Sequence, residues 1–545
     1  MKLLTARRFA FTGQGQTVIN AVAVASGLGM LWLGYDQGVM AGLIGAEGTP
    51  FSNTFKNPNA ASLGLMVAIY EIGCFFGAMF AFMRGDYYSR RTCMVLGVIV
   101  MAVGATIQTT AYTMGQLIAG RVITGLGDGL NFSTIPNWAS EISGHDERGR
   151  IAAFNGWLII WGVVIAYWVG YACADYMTDM QFRFPIALQI LFGLLMAFMV
   201  VFLPESPRWL IAQGRDEEAK AVLDWITPIP ENAEEPHEVT ISNLCSTIIH
   251  AREVEKSAEG DVSFAELLHG GKMQNWRRMC LCIGIMAFQQ LSGINLLTYY
   301  ISYVLENSVG LDRKLSLMIG GFNGIEYLFA AMIPMWTIEK IGRRKLLLIS
   351  AAAMGIVAVA CFFLFNTFYA QGFLAIPFFY PAEITNLRTR SRGVSLSVMS
   401  NWIFTFLVVM ITPVATTSIS WRTYVIFAVL NASFIPMIYF FLPETTGLSL
   451  EALDNIFNCG GITRGVMNKQ HRKRMIEISS QLDDNTDVKD HTVVNEEVKA
   501  QTSTKDDDGC FVLVVDEHGN CLVGVSEVAL ATAGDAFKKF VFAKE

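Results

Sequence analysis

The sequence predicts an all-α membrane protein built as two pseudo-symmetric six-helix bundles. Three observations carry that prediction. Apolar residues make up 53% of the 545 and charged residues only 16%, against the roughly 25% charge of an average soluble chain. Apolar runs near the ~20 residues needed to cross a bilayer recur from Val18 to Leu442. Basic residues gather in every second loop between those runs. The composition excludes a set of soluble domains, a disordered chain, a collagen and a disulfide scaffold. No basic stripe suited to nucleic acid appears. The ten cysteines, Cys74, Cys93, Cys173 and Cys361 among them, lack metal spacing and read as small buried hydrophobes. No metal and no cofactor is expected. The opening MKLLTARRFAF lacks the apolar run and cleavage site of a secretory signal, so the first span serves as its own membrane address.

The expected first-bundle spans are 18–45, 63–83, 93–111, 117–135, 151–174 and 185–203; those of the second are 279–305, 315–338, two within 346–379, 394–414 and 424–442. The basic loops hold Arg90 and Arg91, then Arg148 and Arg150, then Arg277 and Arg278, then Arg343 and Arg344, then Arg390 and Arg392. By the positive-inside rule these loops, the N-terminal tail (1–17) and the polar C-terminal tail (443–545) face the cytosol. Between the bundles (18–203 and 279–442) runs a polar stretch, 204–278, whose amphipathic patterning predicts short cytosolic helices. The tail reads as largely disordered, with one hairpin expected over 510–525 about the His518-Gly519-Asn520 turn.

The halves repeat each other. RGDYYSRR (84–91) returns as EKIGRRK (339–345), SEISGHDERGR (140–150) as AEITNLRTRSRG (382–393), and PESPR (204–208) as PETTG (443–447). Such duplication marks a two-bundle transporter with its substrate site between the halves. The second copy is short. Arg90 and Glu141 are 51 residues apart, whereas Arg343 and Glu383 are 40 apart. The loss falls in 346–380, where two spans of about 20 residues each cannot both fit. Twelve spans with a truncated ninth is the expectation. A single fused span would put the basic loop around Arg390 on the wrong side.

Seven motifs resemble the sugar porter family of the major facilitator superfamily, most closely its fungal proton-linked branch. They are GYDQGVMAG (34–42), GRVITGLGDG (120–129), PESPRWL (204–210), QQLSGINLLTYY (289–300), GRRK (342–345), FYPAEI (379–384) and PETTGLSLEAL (443–453). They stand in family order, and the pair PESPR with QQLSGIN is the most specific. NGIEY (323–327) supports the fungal placement.

Asp36 lies inside an apolar span, where a carboxylate is costly and functional by default. The resemblance implies that it faces Arg121 and carries a coupled proton. A fixed structural ion pair is the competing reading. Gln289, Gln290 and Asn295 bring amides to the seventh span, and amides suit a neutral polyhydroxylated ligand. At 100° per residue a straight helix would not put all three on one face, but Gly293 permits a distortion between them. The resemblance implies that these three bind substrate, together with Asn401 and Trp402 near the start of the eleventh span and Phe378, which replaces a usual Trp. Interhelical bonding and aromatic packing are the plainer roles. Gly156 takes the place where the family has a Gln, which removes an amide and leaves room. Glu326 is an unexpected second acid within a span.

The remaining charges look mechanical. The resemblance implies gating salt bridges among Asp86, Arg90, Arg91, Glu141, Arg148 and Glu205, repeated by Glu339, Arg343, Arg344, Glu383, Arg392 and Glu444. No enzymatic constellation appears, and no phosphate-binding GxxxxGK loop that would power ATP-driven pumping. The expected function is proton-coupled symport of a monosaccharide or polyol by a monomer, in the plasma membrane by family analogy. A passive carrier, a non-transporting nutrient sensor and an inactive truncated paralogue remain as alternatives.

Overall fold

The computed structural model describes residues 14–44, 48–85, 87–143, 148–176, 178–227, 237–259, 274–357, 362–386, 389–446, 457, 513–515 and 521–523. Among them the first bundle holds α1 (Gln16–Leu43), a short α2 (Pro50–Thr54), α3 (Ala60–Arg84), α4 (Arg90–Thr109), α5 (Met114–Ile142), α6 (Arg148–Cys173) and α7 (Met180–Phe202). Polar caps set the starts of several: Asn59, Ser89 and Thr113 each accept from the backbone N–H three residues on. α5 carries Arg121, Asp128 and Asn131, yet all three are buried. It is enclosed by α3 and α4, and glycine makes that approach possible. A Cβ at Gly129 would stand 2.1 Å from the Cys74 carbonyl oxygen, closer than any side chain tolerates.

The polar connection forms helices, as its patterning predicts: α8 (Pro207–Ala212), α9 (Asp216–Ile226) and α10 (His237–Glu259). α9 buries Ala219, Val222, Leu223, Trp225 and Ile226, which join the core of the first bundle beside Val18 and Met94.

The second bundle opens with a broken span, α11 (Asn275–Leu291) and α12 (Ile294–Val304), extended by a π turn over Leu305–Val309. The break is at Gly293, whose φ of 98° is left-handed. The eighth span, expected as one run, is also divided, into α13 (Arg313–Ala330) and α14 (Pro334–Ile341). Pro334 supplies the reason, because it has no N–H to continue the preceding helix. Then come α15 (Arg343–Val357), α16 (Phe362–Gly372), α17 (Ile376–Ile384), α18 (Arg390–Ile419) and α19 (Arg422–Phe441).

The short region is crossed twice. Arg343 opens α15 and Glu383 closes α17, and their side chains pair at 3.4 Å, so the chain leaves and returns to the same end. α15 has 15 residues, about 22 Å at 1.5 Å per residue, and falls short of a ~30 Å hydrocarbon core. Among the described residues nine helical stretches are long and apolar enough to span. Three positions complete the twelve: polar α5, the divided α13–α14, and the truncated α15. In the tail, Leu513–Val515 and Cys521–Val523 pair antiparallel, in keeping with the expected hairpin; its turn and most of the tail lie outside the described residues.

Candidate transport site

α1, α3 and α5 bring an acidic cluster together in the first bundle. Arg121 Nη1 donates to Asp36 Oδ1 at 3.2 Å, and neither side chain is solvent-exposed. Arg121 Nη2 donates to the Val67 carbonyl at 3.3 Å, and its guanidinium lies 4.5 Å from the centroid of the Tyr70 ring. The Tyr70 hydroxyl donates to Asp128 Oδ2 at 2.7 Å. Asp128 and Glu71, both fully buried, were not singled out by sequence reasoning. The signal was available, since Asp128 lies in the same GRVITGLGDG stretch as Arg121 and Glu71 interrupts an apolar span.

The amides gather in the second bundle. Asn295 Nδ2 donates to Gln290 Oε1 at 2.7 Å, and Gln290 Nε2 bonds Asn401 Oδ1. Gln289 turns to the Phe373 carbonyl at 2.7 Å and stands 3.4 Å from Gln290. The Gly293 break is what lets residues on the two halves of this span converge. Asn401 and Trp402 sit about three turns into α18 rather than at its start, because that helix begins at Arg390. Trp402 is buried, and its indole N–H has no partner among the described residues. Phe132 of the first bundle meets it edge-on at 5.2 Å and meets Phe378 at 5.8 Å. Phe378 itself remains 37% exposed. A Cβ at Gly156 would meet nothing within 4 Å, so the room expected there exists. Neighbouring Asn155 is occupied with Ser26 at 3.1 Å. Glu326 of α13 accepts from Thr367 of α16 within the second bundle.

The two clusters are joined. The Tyr299 hydroxyl, one turn beyond Asn295, donates across the bundle interface to Glu71 Oε1 at 2.7 Å. Other bridges lie at the end away from the basic loops: Lys314 to Asp175 at 2.6 Å and Arg313 to the Gly42 carbonyl at 3.0 Å.

The basic-loop charges repeat the same geometry in both halves. Arg90 pairs with Glu141 at 3.1 Å inside the first bundle, as Arg343 does with Glu383 inside the second. Glu205 accepts the backbone N–H groups of Arg90 and Arg91, which open α4. Glu444 accepts those of Arg343 and Arg344, which open α15. An acid at a helix N-terminus is favoured by the free N–H groups and the macrodipole. Arg91 caps the Val200 and Val201 carbonyls, and Arg344 caps that of Tyr439. Burial pushes the Glu205 carboxyl above the usual carboxylate range, against the lowering effect of its hydrogen bonds and Arg91. Asp86 lies outside the described residues, and the side chains of Arg148 and Glu339 are likewise not described. Arg392 lies on α18 and is half-buried.

Two helix bundles facing each other, one with a buried ion pair and the other with clustered amides, define a transporter of the major facilitator fold. The profile of the family described as "Sugar (and other) transporter" matches residues 21–359 and 351–457, two segments that meet at the truncated ninth span, and the chain belongs to that family. It is 35% identical to "Sugar transporter STL1" of Saccharomyces cerevisiae, over 81% of this chain and 82% of that one. It is also 35% identical to "Major facilitator superfamily transporter mfsA" of Aspergillus fumigatus, over 81% and 86%. A solved structure of the proton:xylose symporter XylE shares the fold with a TM-score of 0.67 and 21% identity, over 81% of this chain and all of that one. The protein is therefore an integral multi-pass membrane protein, and its relatives are transporters rather than enzymes.

Proposed function

We propose that this protein is a proton-coupled symporter of a monosaccharide or polyol that works by alternating access. The observation that carries the reading is the Asp36–Arg121 pair, 3.2 Å apart and sealed from solvent. A buried carboxylate is affordable only beside its cation. A conformational change that alters their separation alters the carboxyl's hold on a proton, which can then load on one side and leave on the other. The resemblance to sugar transporters supports the substrate class, and so does the donor set. Gln289, Gln290, Asn295 and Asn401 offer donors and acceptors but no charge, and a hydroxyl-rich ligand can exchange bond for bond with their mutual hydrogen bonds. Trp402 and Phe378 would cover the apolar face of a sugar ring.

In this reading the basic loops and both tails are cytosolic, the protein works as a monomer in the plasma membrane, and the structure is closed on the outer side by Arg313, Lys314 and Tyr299. The repeated charges at the cytosolic end hold each bundle's helices in place and re-pair across the halves when that end closes. The test is substrate-driven proton uptake in proteoliposomes given glucose, xylose, galactose and sorbitol in turn. At least one should drag protons inward. An Asp36→Asn protein that still concentrates that substrate refutes the assigned role of Asp36.

A further inference from the structure

Asp36 is bonded on one side only. Its Oδ1 meets Arg121, while its Oδ2 is buried with no partner among the described residues. Asp128 is the mirror case: Oδ2 takes the Tyr70 hydroxyl and Oδ1 is buried without a partner. The two side chains are within hydrogen-bonding reach of each other. Two bare carboxylates in contact repel, whereas a carboxyl and a carboxylate make a short, strong hydrogen bond. Charge balance points the same way. Asp36, Asp128 and Glu71 are buried around one cation among the described residues, Arg121. Ionising all three would leave two uncompensated negative charges buried away from the water that would solvate them.

We propose that Asp36 and Asp128 form one carboxyl pair that holds a single shared proton, which makes Asp128 a second proton-handling residue of the site. The inference deepens the symport reading, and its consequence for transport rests on that reading. When the proton is bound, the pair carries one negative charge and Arg121 neutralises it. When the proton leaves, the second carboxylate is uncompensated, so release requires the site to change. The groups facing the pair are Arg121 of α5, Tyr70, Glu71 and Cys74 of α3, and Tyr35 of α1, while Tyr299 and Tyr300 of α12 face Glu71 and Arg121 beside it. Arg121 is the only one that is positively charged.

The test is a pH titration of the purified full-length protein followed by infrared difference spectroscopy of protonated carboxyls, with no transport substrate present. Asp36→Asn and Asp128→Asn should each remove the shared-proton band. In Asp128→Asn the remaining carboxyl should titrate about one pH unit or more lower, because its carboxylate neighbour is gone. A titration that Asp128→Asn leaves unmoved overturns the proposal. If that variant fails to fold, Tyr70→Phe serves instead: it withdraws the hydroxyl from Asp128 and should move the same titration upward, and no movement overturns the proposal. A wild-type protein that moves no protons with sugar, yet whose carboxyl titration shifts in Asp128→Asn, refutes symport and leaves the shared proton standing.

Discussion

The Tyr299 hydroxyl donates to the Glu71 carboxyl over 2.7 Å, and this bond crosses from one bundle to the other. Tyr299 stands on α12, a single helical turn from the amide of Asn295. Glu71 is the chain neighbour of Tyr70, which holds Asp128. One hydrogen bond therefore connects the helix that bears the amides to the helix that borders the buried ion pair. Both partners are fully buried, so breaking the bond leaves a carboxyl oxygen without compensation.

Tyr299→Phe should weaken the closed outer side. Removing a hydroxyl from a buried acid costs about 1–3 kcal/mol, and the loss falls only on the state in which the bond is made. The population should shift towards the outward-facing state. Cysteine labelling at the outer ends of α1 and α12 should accelerate several-fold. Unchanged labelling would remove this bond from the gate.

Gln290→Ala should raise KM for the transported sugar about tenfold or more, with a smaller effect on the maximal rate. Gln290 is the hub of the amide cluster, bonded to Asn295 and Asn401, and each hydrogen bond to a neutral partner is worth about 1 kcal/mol. Radiolabelled uptake at varied substrate concentration separates the two parameters.

Gly293→Ala should disable the site without touching a ligand-facing side chain. Its φ of 98° costs an L-residue about 1–2 kcal/mol. A Cβ there would also stand 2.8 Å from the Phe427 ring. The span would straighten, and Gln290 and Asn295 would part. Loss of binding, with expression kept and a lowered melting temperature in detergent, is the expected result.

Glu205→Gln should be tolerated better than Glu205→Ala. Arg90 and Arg91 donate to different oxygens of Glu205, so the single glutamine oxygen can still accept from one of the N–H groups that open α4, whereas alanine leaves both bare at about 1–3 kcal/mol. The pH dependence has a definite sign. The folded carboxyl titrates above its unfolded value because it is buried, so ionising it as the pH rises through that interval costs stability. Thermal unfolding measured across that interval should fall with pH in the wild type, and Glu205→Gln should lack this part of the fall.

Much of this protein was legible in the chain. The apolar runs, the alternation of basic loops and the doubled motifs follow from hydropathy and spacing, and they carry the two-bundle fold and the amide-rich seventh span. The shortened ninth span was a matter of counting residues between Arg343 and Glu383. Hydropathy responds to averages over a window, however, and that is why α5, with Arg121, Asp128 and Asn131 among its buried polar residues, is a weak span by composition and a well-enclosed one in the fold.

What only the tertiary structure decided is which groups meet. Nothing in the order of residues sets Asp128 beside Asp36 or Tyr299 against Glu71. Those contacts join helices distant in sequence, and they depend on glycine-lined approaches such as Gly129 against Cys74. The sequence by itself determined the spans, the repeat and the chemical types available. Packing decided the partners, because the value of a buried charge depends on what lies a few ångströms away in space and not on its neighbours along the chain.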